Sequence, residues 1–580
     1  MYAEVVVLTY QAPDIQTFTY EIPKELEGKI KIGQLVSVPF GKRNPYGVIM
    51  ATRSVLSDAS PRTDLVKKIT SIVIEQPLLL PHQTRLLDWM TNYYHASTVN
   101  CLEAMLPQIP RDPRSDLSVG QTLVLVPSIN QLPQTMAQFS SKNFALYHSD
   151  LKPKEKFAIW QKIANGNYDF VFGTRSAIFT PCPKLKEIII FDEHDGAYKD
   201  ERSPYFSTLT IAQKLQELTG CSLKIIDTSP KVTTYFNLGT RADLVQPRSA
   251  LDKEIKTQIV SMVEERQGGN FSPLSDILQN YIKGGVLKQK KILLFLNKKA
   301  ESGHIYCKNC KYSNFAKVEP ETCPECNSTD IFFNTTNVNS LATVVRKLVP
   351  NVKVNIIAKA SGSDPDAGSD PASVDIATAS VFYKLLLFRY DLVAHVYTDA
   401  LLNIVDFATN EKLYQQITNL KKITKGLLLL QTFSPNDPTI HQAADGNYKK
   451  FFQKEIEQRK NLSYPPFALL VKLTQKGKIP ARNALRSMAD RDQKVEEKSQ
   501  VLFEKLSGSQ FAISNPDISI LGPFKPTFSG KSSKYNIIVK IPIENYDLKS
   551  KGKAVDSIAP LFDFITHDWQ IEIETESIND

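Results

Sequence analysis

The chain has 580 residues, with 70 lysines and arginines against 61 aspartates and glutamates and a formal net charge of +9. That length calls for several domains, each with its own core, and the modest basic excess permits a polyanionic partner without requiring one. There is no run of about 18 or more apolar residues, and the opening MYAEVVVLTYQAPD has neither a basic start nor a small-residue cleavage site; the expectation is a cytoplasmic protein with no membrane partner.

Residues 1–107 read as a small β-rich domain followed by a helix. Glu4 to Tyr10 and Phe18-Thr19-Tyr20 are strand-like, and Gly33 to Gly41 alternates before a turn. Lys42, Arg43, Lys67 and Lys68 would give such strands a wet basic face, and Trp89, Tyr93 and Tyr94 are expected to pack the helix onto them. Further on, Thr122 to Val126, Phe170 to Phe172 and Ile188 to Phe191 fit buried strands of a parallel sheet. The last of these delivers Asp192-Glu193-His194-Asp195 at its C-terminal end, where open α/β sheets bind ligands. An acidic pair there can hold Mg²⁺ and orient an attacking water in a nucleoside triphosphatase; a plain acidic loop is the alternative. Yet the phosphate-cradling loop G-x-x-x-x-G-K-[ST] occurs nowhere in the chain.

Seven cysteines divide into two kinds. Cys101, Cys182 and Cys221 are scattered and read as inert core thiols. Cys307-Lys-Asn-Cys310 and Cys323-Pro-Glu-Cys326 are two knuckles at the spacing of a structural Zn²⁺ site with all four corners filled; free thiols or a redox pair are the other reading. The stretch KASGSDPDAGSDPAS (359–373) has the composition of a flexible linker. Near the end, Lys525, Lys531, Lys534 and Lys540 could line a DNA-binding face or a solvated sheet edge, while the acidic tail IEIETESIND suggests no role.

Several phrases carry a family resemblance. GTRSAIFTP, a hydrophobic strand, DE-HD, then YK and PY is similar to the PriA family of replication-restart DNA helicases, whose members usually show GTRSALFxP, DEEHDxxYKQ and PRY. The N-terminal wording FxY…VxVPFGxRxxxGxV, the phrase YTDALLNIVDFATNEKLYQQIT and the later YPPF match the family in the same order. The resemblance implies a multidomain α/β protein. Its parts would be a small β-barrel-like 3′-DNA-binding domain (1–107), a first RecA-like helicase lobe (118–245), a second lobe (250–475) with a zinc ribbon at 305–330, and a small α+β C-terminal domain (476–580). By position, Phe18, Gly41 and Lys67 fall on the family's terminal-nucleotide pocket, Thr19 replaces its Asp, and Arg175 lies in a DNA-binding motif.

Against that frame several nucleotide-handling parts are altered. The winged-helix segment and Walker A loop are absent, Ser128 stands for a Glu, IIDTSPKV replaces GSATP, and the motif VI arginines fall on Ile423 and Gly426. Asp192 and Glu193 are left as a degenerate Mg²⁺–ATP motif. The expectation is a monomer that binds branched or single-stranded DNA at stalled forks. It would work with primosome proteins, the replicative helicase and single-stranded-DNA-binding protein, carry one structural zinc, and lack helicase activity of its own. The alternative is an active ATP-dependent 3′–5′ helicase with divergent motifs.

Overall fold

The computed structural model describes residues 1–8, 17–41, 43–54, 66–107, 121–140, 143–238, 245–246, 255–297, 303–316, 319–357, 373–379, 381–384, 389–477, 487–526 and 533–579. They fall into two compact units: residues 1–246 with 463–575, and residues 247–462 with 576–580.

In the first unit, β1 (Tyr2–Val7), β2 (Phe18–Glu21), β3 (Gln34–Ser37), β4 (Tyr46–Arg53) and β5 (Ser71–Pro77) form an antiparallel sheet ordered β2-β1-β4-β3-β5. Its β-branched and aromatic residues alternate, sending Val5, Val7, Tyr20, Val36 and Ile49 into one small core. The chain just before β5 ties the two sides of this sheet together. Glu21 N–H donates to the Lys67 carbonyl at 2.9 Å, Ile69 N–H to the Glu21 carbonyl at 3.1 Å, and Thr70 N–H to the Ser37 carbonyl at 2.9 Å. That closure makes the sheet barrel-like at this corner.

Next come β6 (Gln121–Leu125), β7 (Phe144–Tyr147), β8 (Phe170–Gly173), β9 (Leu185–Phe191), β10 (Ser222–Ile226) and β11 (Val245–Gln246), a parallel sheet ordered β11-β10-β9-β6-β8-β7. After β6 the chain builds β7 and β8 on one side, then β9 to β11 on the other. The order therefore reverses between β6 and β9, the crevice where sheets of this kind take ligands.

The second unit holds β12 (Lys256–Ser261) and β13 (Ile292–Phe295), an antiparallel insertion of β14 (Gly303–Cys307), β15 (Ser313–Ala316) and β16 (Ile331–Asn334), then β17 (Lys353–Ile357), β18 (Ser373–Ala377), β19 (Tyr390–His395) and β20 (Thr424–Thr432). Outside the insertion these strands make a second parallel sheet, ordered β12-β20-β19-β13-β18-β17. Its inner strands are apolar on both faces, as helices on either side require. Buried Asp375 on β18 is satisfied by Asn355 Nδ2 at 2.7 Å and the Tyr390 hydroxyl at 2.8 Å. Finally β21 (Ala468–Lys476), β22 (Ser519–Phe524), β23 (Lys534–Pro542) and β24 (Trp569–Ile573) return to the first unit as an antiparallel sheet ordered β22-β23-β21-β24.

The mixed α/β architecture with parallel sheets agrees with expectation at that level. Segments 1–107, 118–245 and 476–580, read from sequence as three domains, share one apolar core that runs through Met90, Leu123, Ile188, Val539 and Phe562. The boundary expected at 475 cuts β21, which pairs with β23 along its whole length; nothing in ALLVKLTQK itself says which sheet it will join. Of the linker expected at 359–373, Ser373 opens β18 and the remainder lies outside the described residues.

The acidic tail also has a structural place. Glu574, buried and at φ +59°, accepts from the Tyr93 hydroxyl at 2.9 Å and Thr210 Oγ1 at 2.7 Å and is ion-paired with Lys551. Lys199 Nζ donates to the Ile573 and Glu574 carbonyls at 2.9 and 3.0 Å. Tyr93 and Tyr94, expected to face the small sheet, turn their hydroxyls to Glu574 and to the Ser207 N–H.

Removing one member of a buried ion pair strands the other charge. Glu574→Ala is therefore expected to cost the first unit about 3 kcal/mol, read as a lower denaturant midpoint; a change under about 1 kcal/mol would show that the pair is not holding the unit. Burial pushes the Glu574 carboxyl up, but Lys551 and Lys199 outweigh it and bring it below its ordinary 4.5. The contribution is thus complete above that value and is lost as pH falls through the lowered one.

Candidate functional site

Three places in the fold gather the residues singled out from sequence. The first is the end of the small sheet. Phe18 opens β2 and meets Phe40 edge-on, ring centroids 5.0 Å apart. Phe40 begins a tight reversal in which Phe40 and Arg43 exchange backbone hydrogen bonds of 2.8 and 3.1 Å. Gly41 follows at φ +60°, exposed, with no atom within 4 Å of where a Cβ would stand. The glycine is thus required by the backbone angle and not by crowding, and it leaves open space beside the ring pair. Lys67 is exposed and lies near the far end of β2, held through its carbonyl by Glu21. The structure joins Phe18 to the Gly41 turn and sets Lys67 along the same strand. Thr19 Oγ1 donates to Glu4 Oε1 at 3.1 Å; Thr17 Oγ1 holds the other oxygen of the same carboxylate at 3.1 Å. Lys42 lies outside the described residues.

The second place is the crevice between β6 and β9. Gly173 ends β8 with no room for a side chain, since a Cβ would come within 2.2 Å of the Tyr147 carbonyl. Arg175, two residues on, is committed inward. Its guanidinium donates to the carbonyls of Ala197 and Lys199 at 3.1 and 2.5 Å and pairs with Asp200 at 3.2 Å. The acidic turn then leaves β9: Asp192 at φ +49° sends its N–H to the Ile226 carbonyl and receives Gln131 Nε2 at 3.4 Å. Glu193 accepts from the Lys231 N–H at 3.2 Å, with the Lys231 ammonium 3.7 Å away.

His194 turns toward Asp227, at the end of β10. Nδ1 stands 2.7 and 2.9 Å from the two Asp227 oxygens, and the His194 N–H donates to the same carboxylate at 3.0 Å. Tyr198 lies beneath, its hydroxyl donating to the Phe191 carbonyl at 2.8 Å. Burial and then the charges of Asp192, Asp195, Asp227 and Glu193 raise its pKa well above the ordinary value. Sequence reading missed Asp227, Gln131 and Lys231. Only the order of strands puts them beside the acidic turn.

Ile423 and Gly426, where the resemblance sets the family's arginines, are respectively buried and packed so that a Cβ at 426 would lie 2.4 Å from the Asp391 carbonyl. No side chain fits at 426 without moving the backbone. The chain also lacks a phosphate loop, and Glu193 is engaged by Lys231. These residues do not fit a Mg²⁺–nucleotide.

The third place is the β14–β16 insertion. Cys307 and Cys326 sulfurs lie 3.6 Å apart, as do those of Cys310 and Cys323, and all four fall within 4.8 Å of one another. Each knuckle is a tight turn closed by a residue at positive φ just after its second cysteine, Lys311 and Asn327. Backbone N–H groups of Cys310 and Asn309 draw the Cys307 thiol below its ordinary value, while the neighbouring sulfurs hold the Cys310 thiol above it. Four sulfurs at this separation match the edges of a tetrahedron with bonds of about 2.3 Å, the geometry of structural zinc.

At the C-terminal sheet, Lys540 lies 4.1 Å over the Tyr464 ring and Lys525 pairs with Asp492 at 2.6 Å; Lys531 lies outside the described residues. No helix among the described residues is long and apolar enough to cross a membrane.

Residues 5–107 match the family model of the PriA 3′DNA-binding domain (3′BD). The chain is also 28% identical over 486 residues to the replication restart protein PriA of Synechocystis, covering 73% of this chain and 56% of that protein. It is 25% identical over 501 residues to PriA of Bacillus subtilis, covering 79% and 59%, and 24% identical over 432 residues to PriA of Borreliella burgdorferi, covering 68% and 62%. The chain thus spans between 56% and 62% of the length of these relatives. Fold and match together define the class: a multidomain α/β protein that carries a 3′-DNA-binding type of domain. Within that class the chain is similar, over most of its length, to the PriA replication restart proteins.

The cysteine geometry sets a direct test. The purified chain is expected to carry one zinc by elemental analysis, and Cys323→Ser to lose it together with protease resistance of the β14–β16 segment. A chain without zinc whose insertion resists protease equally well would refute this assignment.

Proposed function

We propose that this protein binds branched DNA at stalled replication forks and promotes primosome assembly and loading of the replicative helicase, without unwinding DNA by ATP hydrolysis. The observation that carries the reading is a contrast in the site residues. The Phe18–Phe40–Gly41 end of the small sheet stands open beside a stacking ring, while the positions for nucleotide chemistry are filled by other contacts, Gly426 by the Asp391 carbonyl above all.

The chemistry follows from the residue types. The Phe18 ring offers a face on which a terminal base can stack. Gly41 lets the sugar–phosphate approach the backbone closely, and exposed Lys67 supplies a phosphate counter-charge along the same strand. Thr19, bound to Glu4, would meet a 3′-hydroxyl less strongly than a free carboxylate. Arg175 belongs to the frame in this reading, because its donors already serve two carbonyls and Asp200. The four-cysteine insertion would be a zinc ribbon of structural role, since every corner is a cysteine and none is left for substrate. The two parallel sheets would be the remains of paired helicase lobes.

Fork binding is expected to weaken steeply with salt. Phe18→Ala should lower affinity for a fork with a 3′ end at the branch by about tenfold, the scale of one lost stacking contact, and plain duplex should bind less well than the fork. Anisotropy titrations on forked and duplex DNA check both; equal affinity for the two, unaffected by Phe18→Ala, would remove the fork reading. Nucleotide turnover measured with and without the fork should stay at background. Fork-stimulated hydrolysis with strand separation would instead establish the helicase alternative.

A further inference from the structure

We propose that Arg266 is the joint that fastens the β14–β16 insertion to the second parallel sheet, and that His304, stacked beside it, makes this joint give way in acid. Arg266 lies in the helix Met262–Gln267 that follows β12, and it is 2% exposed. Three aromatic rings from three segments surround its guanidinium. Phe433 just past β20, Phe332 of β16 and Phe271 have their centroids at 5.6, 5.9 and 6.0 Å.

The rings belong to both sides of the joint. His304 of β14 lies flat on Phe433, centroids 3.5 Å apart and planes at 16°, while Phe332 meets Phe271 at 5.0 Å. Thr336, just past β16, shares a hydrogen bond of 2.9 Å with the Tyr397 hydroxyl, just past β19. Arg266 Nη1 donates to the Asn270 and Ser272 carbonyls and so holds the loop that carries Phe271. Its buried Nε has no hydrogen-bond partner among the described residues. A planar, weakly hydrated guanidinium can exchange water for ring faces where an ammonium would not. Its removal would leave the rings of the insertion and of the sheet without the group they share.

His304 is also buried. Burial, and then the Arg266 charge, bring its imidazole from the ordinary 6.5 down to about 3. The other titratable groups on the surrounding segments are Glu265, Tyr306, Lys308, Tyr397 and Asp399. Glu265 accepts from Asn270 Nδ2 and the Asp276 N–H, Asp399 accepts from the Phe433 N–H, and Lys308 pairs with Asp330. Neither carboxylate offsets the effect of Arg266 on the ring. Undocking would expose His304, and an exposed imidazole takes up a proton near its ordinary value. Docking is therefore complete above 6.5 and weakens as pH falls from there toward about 3, by up to about tenfold per pH unit.

The test uses the full chain, with metal content shown equal in every variant by elemental analysis, and reads amide hydrogen exchange as protection factors. In Arg266→Met, protection of β14–β16 should fall by at least about tenfold while that of β13 and β19 stays unchanged. In the wild type, protection of β14–β16 should fall about tenfold between about pH 7 and pH 5.5. His304→Phe, which keeps a ring on Phe433, should remove that fall. Circular dichroism shows whether each variant is folded; should Arg266→Met not fold, the acid profiles of the wild type and His304→Phe decide. Three results would each overturn the proposal: unchanged protection of the insertion in a folded Arg266→Met, acid loss in the wild type that strikes insertion and parallel sheet alike, or an acid profile that His304→Phe leaves in place.

Discussion

One buried carboxylate, Glu574, holds together segments that lie hundreds of residues apart. It binds Tyr93 from the helix that follows the small sheet, Thr210 from the parallel-sheet segment and Lys551 from the C-terminal segment. Its backbone carbonyl accepts from Lys199, which leaves the same loop that anchors Arg175. A charge fully removed from water is worth keeping only when its partners are all in place. These contacts and the shared apolar core join the small sheet, the first parallel sheet and the C-terminal sheet into one body. A second buried link, Gln83 Nε2 to the Phe179 carbonyl at 2.8 Å, ties the same helix to the GTRSAIF segment.

That single body changes how the family resemblance should be understood. If the DNA-end domain were a bead on a string, the parallel sheet could decay without consequence for it. Here the core of one is the core of the others, so the strands of the parallel sheet stay under selection for packing whatever becomes of nucleotide chemistry. Strand residues such as Ile188, Ile190 and Leu123 hold the frame together, whereas a phosphate loop or an arginine finger contributes nothing to it. The apolar strands therefore have a packing role that does not depend on nucleotide chemistry.

The fold was legible where one local period decided it. The apolar runs of β6, β8 and β9 needed no knowledge of partners to be seen as parallel strands, and the two cysteine knuckles announced their convergence by spacing alone. What could not be read was which distant residue completes each site. Asp227 lies 33 positions from His194 and joins it only because β10 pairs with β9. Lys231 and Gln131 reach the acidic turn for the same topological reason. The place of the C-terminal segment was hidden on the same ground: β21 carries no local mark of its sheet, and an acidic tail gives no sign that one of its glutamates will be buried against a lysine.

Gly426 shows how packing alone can fix the identity of a residue. An absent arginine could in principle be restored by one substitution, but at 426 the Asp391 carbonyl occupies the space that a Cβ would need. The strand β20 has settled against its neighbour β19 at this point, with Lys425 paired to Asp391 beside it. Regaining a side chain would require the backbone of two paired strands to part, at the cost of the hydrogen bonds that order them. Packing at this point thus excludes any side chain at 426, an arginine included.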